Sequence, residues 1–435
     1  MGWVRTWRWK AGYPVVAAVA VAVALVLVLV LVLGILPPST TATAATRRGA
    51  TPARPAPTER TADATSVSLA YRFLDLMMDR YATGTTLRLV QSFTGGVLGQ
   101  EHFTDSETYD DALVIDAYLA EGTTDGLARA EVVGDALLDI QAHDPMHDGR
   151  IREAYSPRPL THPQKVRITD RTSDVGNMAW VGQSLVDLYA ATGTPSYLTG
   201  AVAIGNWVQA HAYDTRGSGG YTGGITPRGA RIKWKSTEHN IDLSTLFASL
   251  ATETGDSTWS TRAAWARGFV ESMWDPSAGT FYVGTTDDGV TPNDSEHPED
   301  IDSWSYLAFG DPAYAASLDW DVTNLAVTAG GFSGVSFCSG DRSGVWFEGT
   351  SHLADALEQR AGPGDTAQAD QYLSDVTHAQ ASGPNTDGMG IIAASKDRLS
   401  DCDGDFYDAS LHTGATAWYI LAALRVNPLS LFAAA

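Results

Sequence analysis

The stretch KSTEHNID, residues 235–242, places two carboxylates, a histidine and an asparagine within eight residues. The residues that follow, LSTLFASLAT, have the apolar spacing of a helix. Glu238 and Asp242 are four residues apart and would share one face of that helix. Between them, His239 and Asn240 could bind hydroxyl groups or orient a water molecule. This pattern indicates acid–base chemistry, with Glu238 as the first candidate for the acid and Asp242 as its partner.

Five other predicted helix starts also carry polar or acidic groups before turning apolar. They read TYDDALVIDAYL, SDVGNMAWVGQSL, EDIDSWSYLAF, WFEGTSHLADAL and LHTGATAWYILA. Glu348 in the fourth stretch is the second candidate for the acid, and the base is sought among Asp111, Asp174 and Asp302. Ordinary helix capping remains the alternative for each acid taken singly, because helix starts favour such residues.

Aromatic residues accompany these acids, which capping does not require. Sugar rings stack on indole faces while their hydroxyls bond to acids, amides and histidines, so the pattern fits a sugar site. Core packing is the alternative for any one of the aromatic residues. The candidate sugar-binding residues are Trp234, Trp304, Trp346, Tyr109, His239, Asn240, Asp174 and Asn177.

The elements that must position these residues are helices. Apolar residues recur at three and four from Ser68 onward, which predicts about twelve helical segments and little strand. Short turns with a glycine C-cap connect them in pairs, at Gly122, Gly193, Gly255, Gly310 and Gly364. Six hairpins, the sixth joining the last helix to the first, predict an all-α (α/α)6 toroid; a solenoid or a bundle is the alternative. In a toroid the long loops, and the helix starts they enter, gather on one face.

The chain resembles the six-hairpin glycosidase superfamily, which has the (α/α)6 fold and contains many bacterial glycoside hydrolases and some polysaccharide lyases. The resemblance lies in YDDALVIDAYLAEG, DVGNMAWVGQSLVDLYAATG, KSTEHNIDLSTLFASLATETGD, FVESMWD, DIDSWSYLAFGD, VWFEGTSHLADAL and GATAWYILAAL. It implies cleavage of a glycosidic bond by a carboxylic acid and a carboxylate, with inversion expected by analogy. The superfamily has no single set of catalytic positions, so no role is transferred to a residue.

The N-terminus has a different composition from the rest of the chain. Residues 13–36 are 24 residues without a charge, long enough for a transmembrane helix. The basic residues before them predict a cytoplasmic segment over residues 1–12. Residues 37–66 are rich in Pro, Thr and Ala and predict a disordered linker to a toroid over residues 67–430. The TATAA sequence after the apolar run leaves cleavage and secretion open.

Net charge and cysteine content restrict the classes of partner that the protein can bind. Residues 1–60 carry a net charge of +6 against −22 for the whole chain, so the remainder carries −28, which argues against nucleic acid. Cys338 and Cys402 could form a disulfide in the external domain. We expect no cofactor and no metal; the acidic stretch DCDGDFYD, residues 401–408, lacks the EF-hand spacing, and calcium there is a minor alternative.

These observations favour a membrane-anchored, extracytoplasmic glycoside hydrolase whose partners are a carbohydrate substrate and, through the N-terminal helix, the membrane. A polysaccharide lyase is the second enzyme reading; it needs a cation near a uronate, for which Lys233 and Lys235 are the candidates. The third reading is a toroid that binds sugar without catalysis.

Overall fold

The computed structural model describes residues 64–83, 86–158, 160 and 167–431. The predicted cytoplasmic segment 1–12, the predicted transmembrane helix 13–36 and the predicted linker up to residue 63 lie outside these residues. In the part of the chain that the structure describes, no helix is long and apolar enough to cross a membrane. The first helix begins at Ala64, so the last three residues assigned to the linker are helical.

The described residues form thirteen α-helices, and the twelve predicted helical segments are confirmed. Helix α2 is a short additional helix that the periodicity did not predict. The helices are α1 (Ala64–Asp79), α2 (Gly96–Gln100), α3 (Thr108–Glu121), α4 (Thr124–Ala142), α5 (Val175–Thr192), α6 (Pro195–His211), α7 (Thr237–Thr254), α8 (Ser257–Ser272), α9 (Asp300–Phe309), α10 (Ala315–Asn324), α11 (Phe347–Arg360), α12 (Asp365–Ser382) and α13 (Thr413–Ala423).

Six of the helices form a closed inner ring. Helices α3, α5, α7, α9, α11 and α13 pack in that order, and α13 returns to α3. Every residue of α13 is buried, as an inner helix requires, whereas the outer helix α8 buries four residues along one face. The other outer helices are α4, α6, α10, α12 and α1, and α1 packs against α13 as the sixth hairpin. The architecture is therefore the predicted (α/α)6 toroid.

Glycine caps end four of the inner helices as predicted. Gly122, Gly193, Gly255 and Gly310 all adopt the left-handed conformation. The prediction at Gly364 is wrong in its position, because this glycine precedes α12 as its N-cap. Ala361 takes the left-handed place after α11, with φ 52°.

Sixteen short strands lie in the described loops. Three of them hold the starts of inner helices: β2, β5 and β16 directly precede α3, α5 and α13. Isolated bridges do the same for α7, α9 and α11, through Ser236, Pro298 and Trp346. The strands are β1 (Phe93–Thr94), β2 (Ser106–Glu107), β3 (Ala154–Tyr155), β4 (Ile168–Asp170), β5 (Ser173–Asp174), β6 (Gly224–Ile225), β7 (Trp274–Asp275), β8 (Thr280–Phe281), β9 (Gly284–Thr285), β10 (Pro292–Asn293), β11 (Ala326–Ala329), β12 (Phe332–Val335), β13 (Ile391–Ile392), β14 (Leu399–Ser400), β15 (Phe406–Tyr407) and β16 (Leu411–His412).

The strand pairs are antiparallel, and three of them, β1 with β16, β2 with β3 and β5 with β6, join different loops. In the three-stranded sheet β1-β16-β13, His412 is opposite both Phe93 and Ile391. In the sheet β2-β3-β4, Ser106 is opposite Tyr155. The remaining pairs are β5 with β6, β7 with β8, β9 with β10, β11 with β12 and β14 with β15. These pairings fix the inner helix starts relative to one another.

Cys338 and Cys402 form a disulfide with 6.4 Å between their Cα atoms. Cys338 forms a β-bridge with Pro298, just before α9. The disulfide therefore fastens the stretch 401–408, called the acidic loop below, beside the start of α9.

Candidate active site

The starts of the inner helices converge on a cluster of aromatic rings. Trp180 of α5 lies 5.1 Å from Trp304 of α9 and 5.4 Å from Tyr109 of α3, measured between ring centroids. Trp418 of α13 lies 5.9 Å from Trp180 and 6.0 Å from Trp304. His352 of α11 completes the cluster at 5.2 Å from Trp304. Side chains from five inner helices thus meet at one place, where the candidate acid Glu348 also lies.

Glu348 lies at the centre of a buried hydrogen-bond network. The Tyr109 hydroxyl donates to its Oε1 over 2.8 Å, and the Trp418 indole donates to that hydroxyl over 2.7 Å. His412 Nδ1 lies 3.2 Å from Oε2 of Glu348, and His352 Nε2 lies 3.7 Å from Oε1. The carboxylate is therefore held between two imidazole rings and a phenol.

A second carboxylate lies on the other side of each imidazole ring, away from Glu348. His412 Nε2 lies 3.3 Å from Asp110 Oδ1, and His352 Nδ1 lies 3.1 Å from Glu299 Oε2. Each imidazole is thereby placed between two acids, which favours its protonated form.

The electrostatics of this network favour the ionised form of Glu348. Burial alone would raise its pKa, but hydrogen bonds from His352 and His412 lower the pKa to about 2. Burial lowers the histidine pKa values, yet Glu299 and Glu348 raise the pKa of His352 to about 9. Asp110 and Glu348 outweigh burial in the same way and raise the pKa of His412 to about 10. At neutral pH, Glu348 is a carboxylate between two imidazolium groups, which suits a base or a charge stabiliser better than a proton donor.

In a second group of acids the pKa values are raised, in contrast to that of Glu348. Burial, followed by the charges of Asp300 and Asp242, raises the pKa of Glu238 well above its ordinary range. Burial and Asp300 do the same for Asp242, and burial with Glu299 raises the pKa of Asp300 to about 7. Glu238 is half-buried, whereas Asp242 and Asp300 are buried. Glu238 is therefore the member of this group that combines a retained proton with access to solvent, the combination a general acid needs.

Asp174 and His239 flank the second group. Asp174 caps α5 by accepting hydrogen bonds from the backbone of Gly176 and Asn177, over 2.8 and 3.4 Å. His239 Nε2 lies 3.5 Å from Oδ1 of Asp174, and the ring of Trp234 lies 5.7 Å from the imidazole. Asp174 thus serves as a cap and also lies next to the candidate acids.

Four half-buried side chains give the site an accessible rim. They are Glu238, Tyr109, Asn177 and Tyr407. Trp304 and Trp346 are 3% and 2% exposed, so both form walls beneath the rim. Trp346 packs against Phe337 at 4.6 Å and against His352 at 5.2 Å.

Three of the predicted site residues face loops instead. Asp111 accepts hydrogen bonds from the Val90 backbone and the Ser106 hydroxyl, both over 2.8 Å. Asp302 accepts from the Thr280 hydroxyl over 2.6 Å and from the Phe281 backbone over 3.2 Å.

Asn240 is the third. Its amide donates to the carbonyls of Tyr221 and Ser236 and accepts from the Tyr221 backbone, which leaves little capacity for a ligand. The reason for all three positions is helical phase, since neighbouring residues of a helix point about 100° apart. Asp110 and Asp300 occupy the inward positions next to Asp111 and Asp302.

Several residues of the candidate site were not predicted from the sequence. A signal existed for His352, which follows Glu348 by four residues in WFEGTSH, and for His412 at the start of LHTG. Pairing of β16 with β1, which helps to place His412, joins distant loops and has no signal in the local sequence. The missed residues are Asp110, Glu299, Asp300, His352, His412 and Trp418.

Two cavities lie away from these acids. One of about 530 Å³ is lined by the α1–α2 region, including Arg80, Gln91 and Phe103. The other, of about 500 Å³, lies between the far ends of inner helices and is lined by Asp187, Glu253 and Arg267. Neither is lined by Glu238 or Glu348, so we place the candidate site at the rim defined by the acids and aromatic rings.

The fold has clear structural relatives. A D-mannose isomerase superposes with a TM-score of 0.61 at 11% identity, over 83% of this chain and 95% of the other. The cellobiose 2-epimerase of Bacillus thermoamylovorans gives 0.60 at 10% identity, over 83% and 99%. A family 76 glycoside hydrolase, a mannosidase, from Bacteroides thetaiotaomicron gives 0.58 at 11%, over 84% and 99%. The chain has the six-hairpin glycosidase-like fold.

Sequence comparison adds nothing to this assignment, because no protein-family model and no curated protein matches the chain. Structural likeness at these identities concerns the fold alone. The activity of the six-hairpin toroid must therefore be inferred from its own side chains.

Proposed function

We propose that the toroid is a glycoside hydrolase that cleaves an oligo- or polysaccharide by carboxylate acid–base catalysis. The observation that carries the proposal is that two carboxyl groups, Glu238 at the rim and Glu348 buried beneath it, have opposite proton affinities. Glu238 has a pKa well above its ordinary range, and Glu348 has a pKa of about 2. Two carboxyl groups tuned in opposite directions beside aromatic walls are what glycosidic cleavage requires.

In the proposed reaction, Glu238 gives its proton to the glycosidic oxygen as the bond from that oxygen to the anomeric carbon breaks. Water attacks the anomeric carbon and loses a proton to Glu348, so water supplies the new hydroxyl and no cofactor is needed. The half-buried Tyr109 is placed to contact the sugar ring, and the buried indoles of Trp180 and Trp304 pack behind it. We propose inversion, which gives the opposite anomer as the first product.

A second candidate function is sugar isomerisation or epimerisation. It is favoured by His352 and His412, which flank Glu348 and could donate protons to a ring oxygen or a carbonyl. Two of the structural relatives carry such names, a D-mannose isomerase and a cellobiose 2-epimerase. Glu348 would then remove a proton from carbon in place of water, so solvent deuterium would enter the sugar.

The lyase reading has less support from the structure. Lys235 is buried, and its Nζ donates to the carbonyls of Arg216 and Gly219 over 2.7 Å while pairing with Asp214 at 3.5 Å. These contacts already satisfy the ammonium group, so it is not available to neutralise a uronate.

We also propose that the toroid works outside the cytoplasm, attached to the membrane by the predicted helix at residues 13–36 or released after cleavage. The Cys338–Cys402 disulfide supports this location, because disulfides persist in oxidising compartments.

A glycan panel tests the function. The full chain is incubated with α- and β-linked oligosaccharides, and new reducing ends, unsaturated uronates and epimerised sugars are followed separately. We expect new reducing ends with the wild type and with Glu101→Gln, an exposed control of equal charge change, and a loss of about 100-fold or more with Glu238→Gln and Glu348→Gln. Deuterium uptake without cleavage would favour the epimerase. Sugar binding without any reaction would favour the non-catalytic toroid.

A further inference from the structure

The rim of the candidate site carries more carboxyl groups than acid–base catalysis uses. Besides Glu238, it contains Asp242 on α7 and Asp300 at the start of α9. The acidic loop brings Asp403 to the same place, because Cys402 is bonded to Cys338, which bridges to Pro298. The backbone amide of Glu299 also donates to the Phe337 carbonyl over 2.9 Å, which ties the same segment to α9.

The carboxyl groups of Asp300 and Asp242 are buried with few hydrogen-bond donors around them. Asp300 Oδ1 has no hydrogen-bond partner among the described residues, and the donor that acts on Asp242 there is the Trp180 indole. The two residues are 5% and 3% exposed. Buried polar atoms are nearly always paired in folded proteins, so an unpaired acceptor at a rim indicates that a ligand supplies the donor.

The protein itself supplies few positive charges here. In the described stretches, no Lys or Arg forms an ion pair with Glu238, Asp242, Asp300 or Asp403, and Lys235 is committed to Asp214. The nearby basic side chains are His239, 3.5 Å from Asp174, and His352, whose charge acts to lower the pKa of Asp300. The negative charges of Asp300 and Asp403 raise the pKa of Glu238, as burial does, so the two effects add.

Building on the proposed function, we infer that the sugar bound at this rim is an amino sugar with a free, protonated amine. Its ammonium group lies among Asp242, Asp300 and Asp403. An ammonium offers three donors and a positive charge, which matches several carboxyl oxygens with few donors around them better than a hydroxyl does. The net charge of −28 on residues 61–435, which follows from −22 for the chain and +6 for residues 1–60, attracts the same class of ligand.

Proton release accompanies binding in this arrangement. Burial and neighbouring acids raise the pKa values of Asp300 and Asp403 to about 7, so both carry protons part of the time near neutral pH. An ammonium beside them favours their ionised forms and displaces those protons. A neutral sugar lacks the charge and leaves them in place.

Titration calorimetry of the full chain tests the inference. Glucosamine, galactosamine and mannosamine are compared with glucose, galactose and mannose at pH 7, in two buffers that differ in ionisation enthalpy. We expect each amine to bind at least about tenfold tighter than its neutral counterpart and to release protons. Asp403→Asn should lower the affinity for the amines about tenfold more than it lowers the affinity for the neutral sugars, whereas the exposed control Glu101→Gln should change neither.

The outcomes separate this inference from the proposed function. Neutral sugars that bind as tightly as the amines, or amine binding unaffected by Asp403→Asn, would overturn the amino-sugar specificity while leaving a sugar site. Glycan cleavage restricted to N-acetylated or neutral chains would do the same. Absence of binding in both sugar series would overturn the sugar site and this inference together.

Discussion

Replacing His412 by glutamine should flatten the dependence of stability on pH. His412 is buried, 3.3 Å from Asp110 Oδ1 and 3.2 Å from Glu348 Oε2, and its pKa is about 10. In the unfolded chain its pKa returns to about 6.5. The folded protein therefore holds a proton that the unfolded chain releases between those two values. The stabilisation from His412 is fully present below pH 6.5 and lost as pH rises to about 10.

The size of the effect follows from linkage. One extra proton on the folded state makes stability fall by about 1.4 kcal/mol for each pH unit. Between pH 7 and pH 9, His412 alone accounts for about 3 kcal/mol of lost stability. Glutamine keeps an N–H donor for Glu348 but cannot carry the proton. The variant should therefore have a slope about 1.4 kcal/mol per pH unit smaller than that of the wild type.

Urea unfolding at pH 7, 8 and 9 measures this slope. Other buried groups with raised pKa values, such as Asp111, contribute equally to both proteins, so the difference between the lines isolates His412. The control is His102→Asn at an exposed position with φ 58°, which asparagine tolerates. Parallel lines for the wild type and His412→Gln would show that Asp110 and Glu348 do not hold His412 protonated.

Three further predictions concern the scaffold and the acids. Replacing Cys338 and Cys402 by serine should lower the free energy of unfolding by about 4 kcal/mol, because the crosslink spans 64 residues; unchanged urea midpoints would contradict this. Tyr109→Phe removes a donor to Glu348, so the acidic limb of the pH dependence of kcat/KM should move to higher pH; an unmoved limb would exclude Glu348 as its origin. Asp300→Asn should lower kcat/KM by roughly tenfold or more. Asp302→Asn should lower it less than about threefold, because Asp302 faces Thr280 and Phe281. A larger loss of kcat/KM in Asp302→Asn than in Asp300→Asn would assign the rim position to Asp302.

The toroid could be predicted from the sequence because its signals are local. Helical periodicity and a glycine after the last turn depend on neighbouring residues, and the caps at Gly122, Gly193, Gly255 and Gly310 follow that rule. The turn AGPGDT contains two glycines, yet Ala361 adopts the left-handed conformation there. Which residue of a turn adopts the left-handed conformation also depends on tertiary packing, which cannot be predicted from the local sequence.

The sequence predicted which helix starts contribute to the candidate site, but not which of their residues face it. Which acid in a first turn faces the axis depends on helical phase, and strand pairing in the preceding loop sets that phase. Asp110 and Asp300 therefore took the places expected of Asp111 and Asp302. The two histidines around Glu348 come together through α11 and the strand β16, elements separated by more than fifty residues of sequence. Contacts of that range leave no trace in a single stretch.

The most direct test of the central claim compares leaving groups. On the glycan that the panel identifies, the hydrolysis rate of Glu238→Gln is measured for the natural glycoside and for an aryl glycoside of the same sugar whose leaving group needs no proton. If Glu238 is the general acid, the variant should lose about 100-fold or more on the natural glycoside and keep most of its rate on the aryl glycoside. Equal losses on both substrates, or no loss on either, would contradict the assignment of Glu238 as the proton donor.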